Sequence, residues 1–415
     1  MSNGAMGASN QLEPRTGRLS DVLPIAAVTF VALLGFGAFI PVFPYLGRSL
    51  NASDGAVTLT MAAYSLGQFI SAPFWGRLSD KYGRKPILIA GTCAAAVAYI
   101  FVANAKSIEM LFAARLFGGL MAGNIAAAFA AASDISTPAS RAKAMGILGA
   151  AFGLGFIFGP AIGGLMTHHA SGAHSLAQVA YLAAGLNALA ALATLFIFRE
   201  TLMPAARVVR NRTHRFLVLA GRRRLQTLTI VSFMVTTAFG MMEACMGFLA
   251  ADRFAWSPYD LGLLFTVVGI LSVIMQGGAI GRLTKMLGET KLLIAGLIIM
   301  TIGLVIAGLA EVPGHAYLAA VFLSVGSAVT NPTLTTLSSF EASEDERGAV
   351  LGVVQSAASL GRVAGPALGG TLYAAIAQSA PFLIGALIAV LSAVLIALAL
   401  KGYPPHQRQV GDPID

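Results

Sequence analysis

The sequence predicts an all-α membrane protein of twelve spans arranged as two six-helix halves, and three observations carry that prediction. Of 415 residues, 57% are hydrophobic and only 11% are charged, whereas soluble domains carry about 25% charged residues. Twelve apolar stretches approach the roughly 20 residues that a membrane-crossing helix needs. The second half of the chain also repeats landmarks of the first at a nearly constant offset. A water-soluble enzyme of this length has no means of hiding so much apolar surface.

The spans are expected near residues 24–45, 56–75, 86–104, 108–132, 142–167, 177–198, 226–250, 259–280, 291–310, 317–339, 348–377 and 381–400. Against this map, 22 of the 27 Lys and Arg residues fall on the side that holds both termini and the even-numbered connectors. Arg48, Lys106 and Arg253 fall on the other side, and Arg115 and Arg362 fall within spans. Basic residues near span ends stay in the cytoplasm. Both termini are therefore expected there, in a multi-pass cell-membrane protein whose expected setting is a bacterial inner membrane. The net charge of +9 is this topology signal rather than a nucleic-acid footprint, and it favours anionic membrane lipids as neighbours. Cys93 and Cys245 lie in spans and imply no disulfide framework. The first 20 residues show no cleavable signal pattern, so the first span is expected to remain.

The repeat is visible at two places. Gly76–Leu88 (GRLSDKYGRKPIL) returns as Gly281–Leu293 (GRLTKMLGETKLL), 205 residues later, and Gly153–Gly164 (GLGFIFGPAIGG) returns as Ser359–Gly370 (SLGRVAGPALGG), 206 residues later. A duplicated six-span unit of constant orientation follows, with halves 1–198 and 226–415. Between them, 199–225 forms a cytoplasmic linker with eight Arg and one acid, Glu200, interrupted by Pro204. Such duplications build transporters with a midplane site between their halves.

The segment after span two carries the most specific motif. Gly76 and Gly83 permit a tight turn, Asp80 is expected to cap a short helix, and Arg84 and Lys85 sit at the membrane surface. Asp134, at the end of span four, is expected to join Asp80 and Arg84. In span five, Gly155, Gly159 and Gly163 share one face at four-residue spacing, with Pro160 and Gly164 beside them. Small residues at this spacing let helix backbones approach closely. Gly361, Gly365, Pro366 and Gly369 repeat the pattern in span eleven.

The first motif resembles the signature of the major facilitator superfamily between spans two and three, and Gly-Pro-x-x-Gly-Gly in span five resembles the motif of its drug:proton antiporters. PVFP (Pro41–Pro44), YSLGQFISAPFWG (Tyr64–Gly76) and RLFGGLMAGN (Arg115–Asn124) resemble the tetracycline-resistance-like branch. The resemblance implies a proton-coupled exporter of small amphipathic molecules or drugs that works by alternating access. Gly76, Asp80, Gly83, Arg84, Lys85 and Asp134 would serve as a cytoplasmic gate. In the second copy Lys285 replaces Asp80, so only the first copy is expected to latch. The branch has an acid in span one, but this chain has Ala32 there.

Ionisable groups inside spans are costly and mark function. Arg115 (span four) and Glu243 (span seven) are placed at similar depth and are expected to face each other across the halves, with Arg362 in span eleven. Burial penalises an isolated carboxylate, so Glu243 is suited to take up and release a proton. Glu243 is read as the proton-coupling group with Arg115 modulating it, the alternative being a static Arg115–Glu243 pair. The resemblance also ties Arg115 to proton movement. Two Arg and one Glu bias the interior toward positive charge, which suits neutral, zwitterionic or anionic substrates better than cationic ones. Asn124, Asn331, Gln355 and Arg362 are the expected substrate-cavity residues, with Gln68 and Gln276 as further polar candidates. A helix break is expected at Thr330-Asn331-Pro332. Phe39, Phe239, Met241 and Met242 are expected to supply an apolar wall.

An enzyme is disfavoured because all six His residues lie in connectors or tails, and no cofactor or metal is expected. The His168, His169 and His174 group lacks Cys or carboxylate companions, and Asn211–Thr213 carries no glycosylation meaning in the cytoplasm. No P-loop is present, so a gradient must supply the energy. The expected partners are a small-molecule substrate, protons and lipids, with no nucleic acid, and the chain is expected to be a monomer. A non-drug exporter or uniporter for a sugar, metabolite or lipid, without proton coupling, remains the alternative on the same fold.

Overall fold

Over the described residues each expected span coincides with helix, and two of the spans described throughout are broken where the sequence places Pro or Gly. The computed structural model describes residues 21–137, 140–167, 173–202, 219, 221–275, 280–342 and 346–400. Most of the linker (203–218 and 220), Gln276, His168, His169, Asn211–Thr213 and both tails lie outside the described residues, as do the side chains of Arg141, His174 and Arg347.

Span one is the pair α1 (Leu23–Phe39) and α2 (Phe43–Ser49), bent by 47°. Pro41 has no N–H to give, and the break closes with short-range bonds from Ile40 N to the Gly37 carbonyl and from Val42 N to the Phe39 carbonyl. Spans two and three are α3 (Asp54–Tyr82) and α4 (Arg84–Ala103), and span four is α5 (Ile108–Leu120) followed by α6 (Asn124–Ile135). The break in span four has a partner in α3. Trp75 Nε1 donates to the Leu120 carbonyl at 2.7 Å and Ser71 Oγ to the Gly119 carbonyl at 3.3 Å. Gly123 admits the Trp75 indole, which any Cβ would strike. Spans five to seven are α7 (Arg141–Thr167), α8 (Ala173–Ile197) and α9 (Arg223–Phe254). Span eight is α10 (Pro258–Ile274), with α11 (Ile280–Leu287) beyond it. The last four are α12 (Glu289–Gly308), α13 (Pro313–Phe340), α14 (Arg347–Ala375) and α15 (Ala380–Ala399).

Among the described residues, seven of these helices and the α5–α6 stretch are long and apolar enough to cross a membrane, and the bent α1–α2 pair makes a ninth span. The described part of α10 is 17 residues long. At 29 residues each, α3 and α14 are long enough but more polar, and they pack against each other across the two halves. That partnership shields what lipid would not accept.

The sequence repeat becomes a packing repeat. In the first half Gly155, Gly159 and Gly163 of α7 lie against Leu33, Gly37 and Ala38 of α1; in the second, Gly361, Gly365 and Gly369 of α14 lie against Thr237, Gly240 and Met241 of α9. The neighbouring glycine makes the cross-half contact each time: Gly164 meets Tyr259 and Gly262 of α10, and Gly370 meets Thr58 of α3.

The bundle has a basic end, where Arg84, Arg222, Lys291 and the start of α14 lie, and a far end, where Arg48 and Arg253 lie. At the far end one apolar core runs through both halves, from Phe43, Leu46 and Val57 to Phe248, Leu261 and Phe382. At the basic end the cores separate: one around Ile25, Trp75, Leu88 and Leu148 in the first half, another around Leu225, Val350 and Val354 in the second. Among the described residues, the polar contacts between halves gather at the far end. Tyr45 donates to the Trp256 carbonyl at 2.7 Å. Arg48 holds Asp252 through two bonds of 2.7 and 3.0 Å while also pairing with Asp54 of its own half at 2.7 Å. The halves are joined at the far end and parted at the basic end.

Candidate transport cavity and gate

Two connected lobes, of about 490 and 690 Å3, occupy the space between the halves. The first is lined mainly by α1, α3, α4, α5, α6 and α7 and contains Arg115, Asn124, Gln68, Gln355 and Arg362. The second lies among α7, α9, α10 and α13 and is walled by Phe239, Met242, Met246 and Phe265, reaching Gly146 near the basic end of α7. Glu243, Ile40, Phe129, Phe152 and Phe156 line both. Glu243 therefore stands at the waist between a lobe that holds two arginines and a lobe walled by Phe and Met side chains.

Glu243 is partly exposed at this waist, and its carboxyl makes no hydrogen bond or ion pair with another described residue. The guanidinium that acts electrostatically on it belongs to Arg362, one helix away on α14. Arg362 in turn donates to Ser359 Oγ at 2.6 Å. Arg115 and Glu243, expected to face each other across the halves, thus form no ion pair, and the cation acting on Glu243 is Arg362 of its own half. Arg115 is occupied otherwise: its guanidinium lies 4.5 Å from the Tyr64 ring centre and 5.2 Å from that of Phe43. The sequence showed Arg115 and Glu243 at one depth, but depth along a helix does not fix the direction of a side chain around it.

Asn124, Gln355 and Arg362 border the first lobe, and Ala32 lies on its wall. Asn331 borders neither lobe; it is exposed on α13. Nor does the chain break there, because α13 continues through Pro332 to Phe340. Hydroxyls of Thr330 and Thr333 bond back to the Gly326 and Val329 carbonyls on the preceding turn. Phe39 lines the first lobe, Phe239 and Met242 the second, and Met241 is fully buried away from both.

At the basic end the expected triad is assembled. Arg84 donates through Nη1 to Asp80 at 2.6 Å and through Nε to Asp134 at 2.8 Å. Arg84 itself is buried, so both carboxylates are held by a guanidinium with little access to water. The local backbone corrects the expected turn. Gly76 lies inside α3 and Asp80 in its last turn, so neither breaks nor caps a helix. The reversal rests on Gly83 alone, at φ +108°, and Gly288 repeats it in the second half at φ +73°. Glu200 is the member that sequence reasoning passed over. Its carboxylate accepts from the backbone N–H groups of Arg84 at 2.8 Å and Lys85 at 3.0 Å, capping α4 from the end of span six. Lys85 Nζ reaches the Leu195 carbonyl at 2.7 Å. A lone acid in a run of arginines was the available signal.

Two repeated halves around a central cavity, joined at one end and parted at the other, define a secondary transporter rather than an enzyme. The chain belongs to the Major Facilitator Superfamily, whose model matches residues 25–278 and again 228–413. It is 31% identical over 367 residues to the class C tetracycline resistance protein of Escherichia coli, covering 86% of this chain and 90% of that protein. To multidrug resistance protein 2 of Bacillus subtilis it is 29% identical, covering 83% and 86%. Among solved structures, the nucleoside transporter NupG shares the fold with a TM-score of 0.75 at 13% identity, covering 92% of this chain and 99% of that one. The human organic anion transporter MFSD10 (TETRAN) does so with a TM-score of 0.68 at 23% identity, covering 90% and 98%. The protein is accordingly a multi-pass membrane transporter with a small-molecule substrate.

Proposed function

We propose that the protein is a monomeric, proton-coupled exporter of small amphipathic molecules in a bacterial inner membrane, with both termini and the basic end in the cytoplasm. The moving bodies are residues 1–198 and 226–415, joined by the linker 199–225. In this orientation the separated basic-end cores and the joined far-end core describe a cytoplasm-facing state. The Asp80–Arg84–Asp134 cluster, paired within its own half here, is the element that engages the second half when the basic end closes. The glycine face of Gly155, Gly159, Pro160 and Gly163 is the bearing between α7 and α1.

One observation carries the coupling assignment: Glu243 is a carboxyl at the waist of the cavity, open to it and without a hydrogen-bond partner among the described residues. With Ala32 on the wall of the first lobe, span one offers no competing acid. Export, rather than import, is supported by the tetracycline and multidrug resistance proteins among the relatives. Inside-out vesicles with an acidified lumen test the reading, with tetracycline and a panel of amphipathic dyes as probes. Accumulation that an uncoupler abolishes is expected, and Glu243→Gln retains binding but loses gradient-driven accumulation. Flux that ignores the gradient in the unsubstituted protein identifies a uniporter and overturns the proposal.

A further inference from the structure

Of the two arginines that border the first lobe, Arg115 stands in an unusual position. Only 8% of Arg115 is exposed. Its Nε is buried without any hydrogen-bond partner, and no carboxylate of the described residues lies within ion-pair distance. What holds it is an aromatic cage: Tyr64 on α3 and Phe43 on α2 flank the guanidinium, and the Tyr99 hydroxyl interacts with it from the side. Aromatic faces fix the plane of a guanidinium and attract its charge, yet they give its Nε–H no acceptor. A buried donor without an acceptor costs free energy that an incoming acceptor recovers. Arg115 borders the cavity, so the acceptor can come from there.

The opposite lobe has the complementary chemistry. Phe239, Met242, Met246 and Phe265 form an apolar wall, and Met side chains adapt to varied shapes. A molecule that fills both lobes must pass Glu243 at the waist.

Resting on the reading that this cavity is the transport site, we propose that Arg115 is the recognition residue for the polar end of the substrate. The substrate class is an amphipathic molecule that presents an acceptor oxygen, as a carboxylate or a carbonyl, to the Arg115 guanidinium. Its apolar body occupies the second lobe. Arg115 thereby acts as a specificity determinant, distinct from the proton site at Glu243. A fixed cation at this place disfavours substrates whose leading group is a permanent cation.

The test uses the full-length protein in detergent and four probes that share one naphthyl body: 1-naphthylacetate, 1-naphthylacetamide, a (1-naphthylmethyl)trimethylammonium salt and 1-methylnaphthalene. Binding is measured by calorimetry. The expected result is that the acetate, the acetamide or both bind roughly tenfold or more tightly than the ammonium probe, the scale of one charge-assisted hydrogen bond. If the acetate leads, the acceptor is anionic; if the acetamide equals it, a neutral carbonyl suffices. Arg115→Met erases the preference while 1-methylnaphthalene still binds, which shows that the variant is folded with an intact apolar lobe. Arg115→Lys, which keeps the charge but loses the planar fork, restores the preference only in part. The proposal is overturned if the ammonium probe binds as well as both oxygen probes, if no probe with an oxygen binds, or if Arg115→Met leaves the preference unchanged. A separate variant addresses the underlying reading. Met246→Trp fills the second lobe and is expected to abolish binding of all four probes. Undiminished binding there removes the cavity as the transport site, whatever the head-group preference.

Discussion

Replacing Asp252 by Asn cuts the far-end joint between the halves while leaving each half intact. Arg48 grips Asp252 with two bonds, of 2.7 and 3.0 Å, and lies 4.9 Å from the centre of the Phe248 ring. The charged groups are about a third and a quarter exposed, 31% and 26%, so solvent screening keeps the pair well below a buried one. Exposed pairs contribute about 0.2–1 kcal/mol, and two-point Arg–carboxylate geometry places this one near about 1 kcal/mol. Asp252 also accepts from Tyr373 at 2.7 Å and Gln378 at 3.3 Å. Those groups belong to its own half and move with it, so their loss does not favour either access state. The expected shift toward the state with an open far end is therefore about fivefold. Tyr45→Phe removes the bond to the Trp256 carbonyl and adds a net effect of about 1 kcal/mol. The double variant is thus shifted by roughly thirtyfold. Asp54→Asn is the control, because Arg48–Asp54 lies within one half and is not broken by rocking. Spin labels at Ser49→Cys and Glu311→Cys, in a background lacking Cys93 and Cys245, report the far-end separation by pulsed electron resonance. A longer distance should gain population in Asp252→Asn and gain more in the double variant. Equal opening by Asp54→Asn and Asp252→Asn, or an unchanged distribution in the double variant, refutes the role of this joint.

The packing sets two more expectations. Glu200→Ala leaves the α4 amino terminus without its carboxylate cap and should lower stability by about 1 kcal/mol, read from denaturant unfolding in detergent; an unchanged midpoint contradicts the capping role. Gly163→Leu places a side chain where α1 presents the Ala38 carbonyl and should abolish recovery of folded protein by size-exclusion chromatography, whereas Gly185→Leu, with open space around it, should be recovered normally.

Most of the architecture was legible because lipid makes a simple demand. A span must be apolar and helical along most of its length, so composition marks most of them, and the repeat at 205–206 residues announces the second half. The Asp80–Arg84–Asp134 cluster was legible for a related reason: charges at span ends have few places to go. The helix ends were not legible at the same level. Asp80 looked like a cap because a charged, glycine-containing stretch usually lies in a loop, yet α3 runs on through it beyond the apolar region. Pro332 looked like a break, but a proline within a membrane helix can be carried when neighbouring groups satisfy the backbone. The cavity was read only in part, since lining depends on rotation about each helix axis. Asn331 and Arg115 both occupy the expected helices; Asn331 turns away from the lobes and Arg115 turns to Tyr64 rather than to Glu243. Glu200 and the Arg48–Asp252 joint required knowledge of tertiary contacts between residues more than a hundred positions apart.

In the proposed cytoplasm-facing state, one cavity between two halves opens toward the basic end and is shut at the far end. Single cysteines at Gly149 and Ser49, in the same background without Cys93 and Cys245, give the most direct measurement of this when labelled with a membrane-impermeant maleimide in right-side-out and inside-out vesicles. Gly149→Cys, on the wall of the second lobe, should react only from the inside-out side, and Ser49→Cys only from the right-side-out side. Reaction of both positions from one and the same face contradicts an opening confined to the basic end.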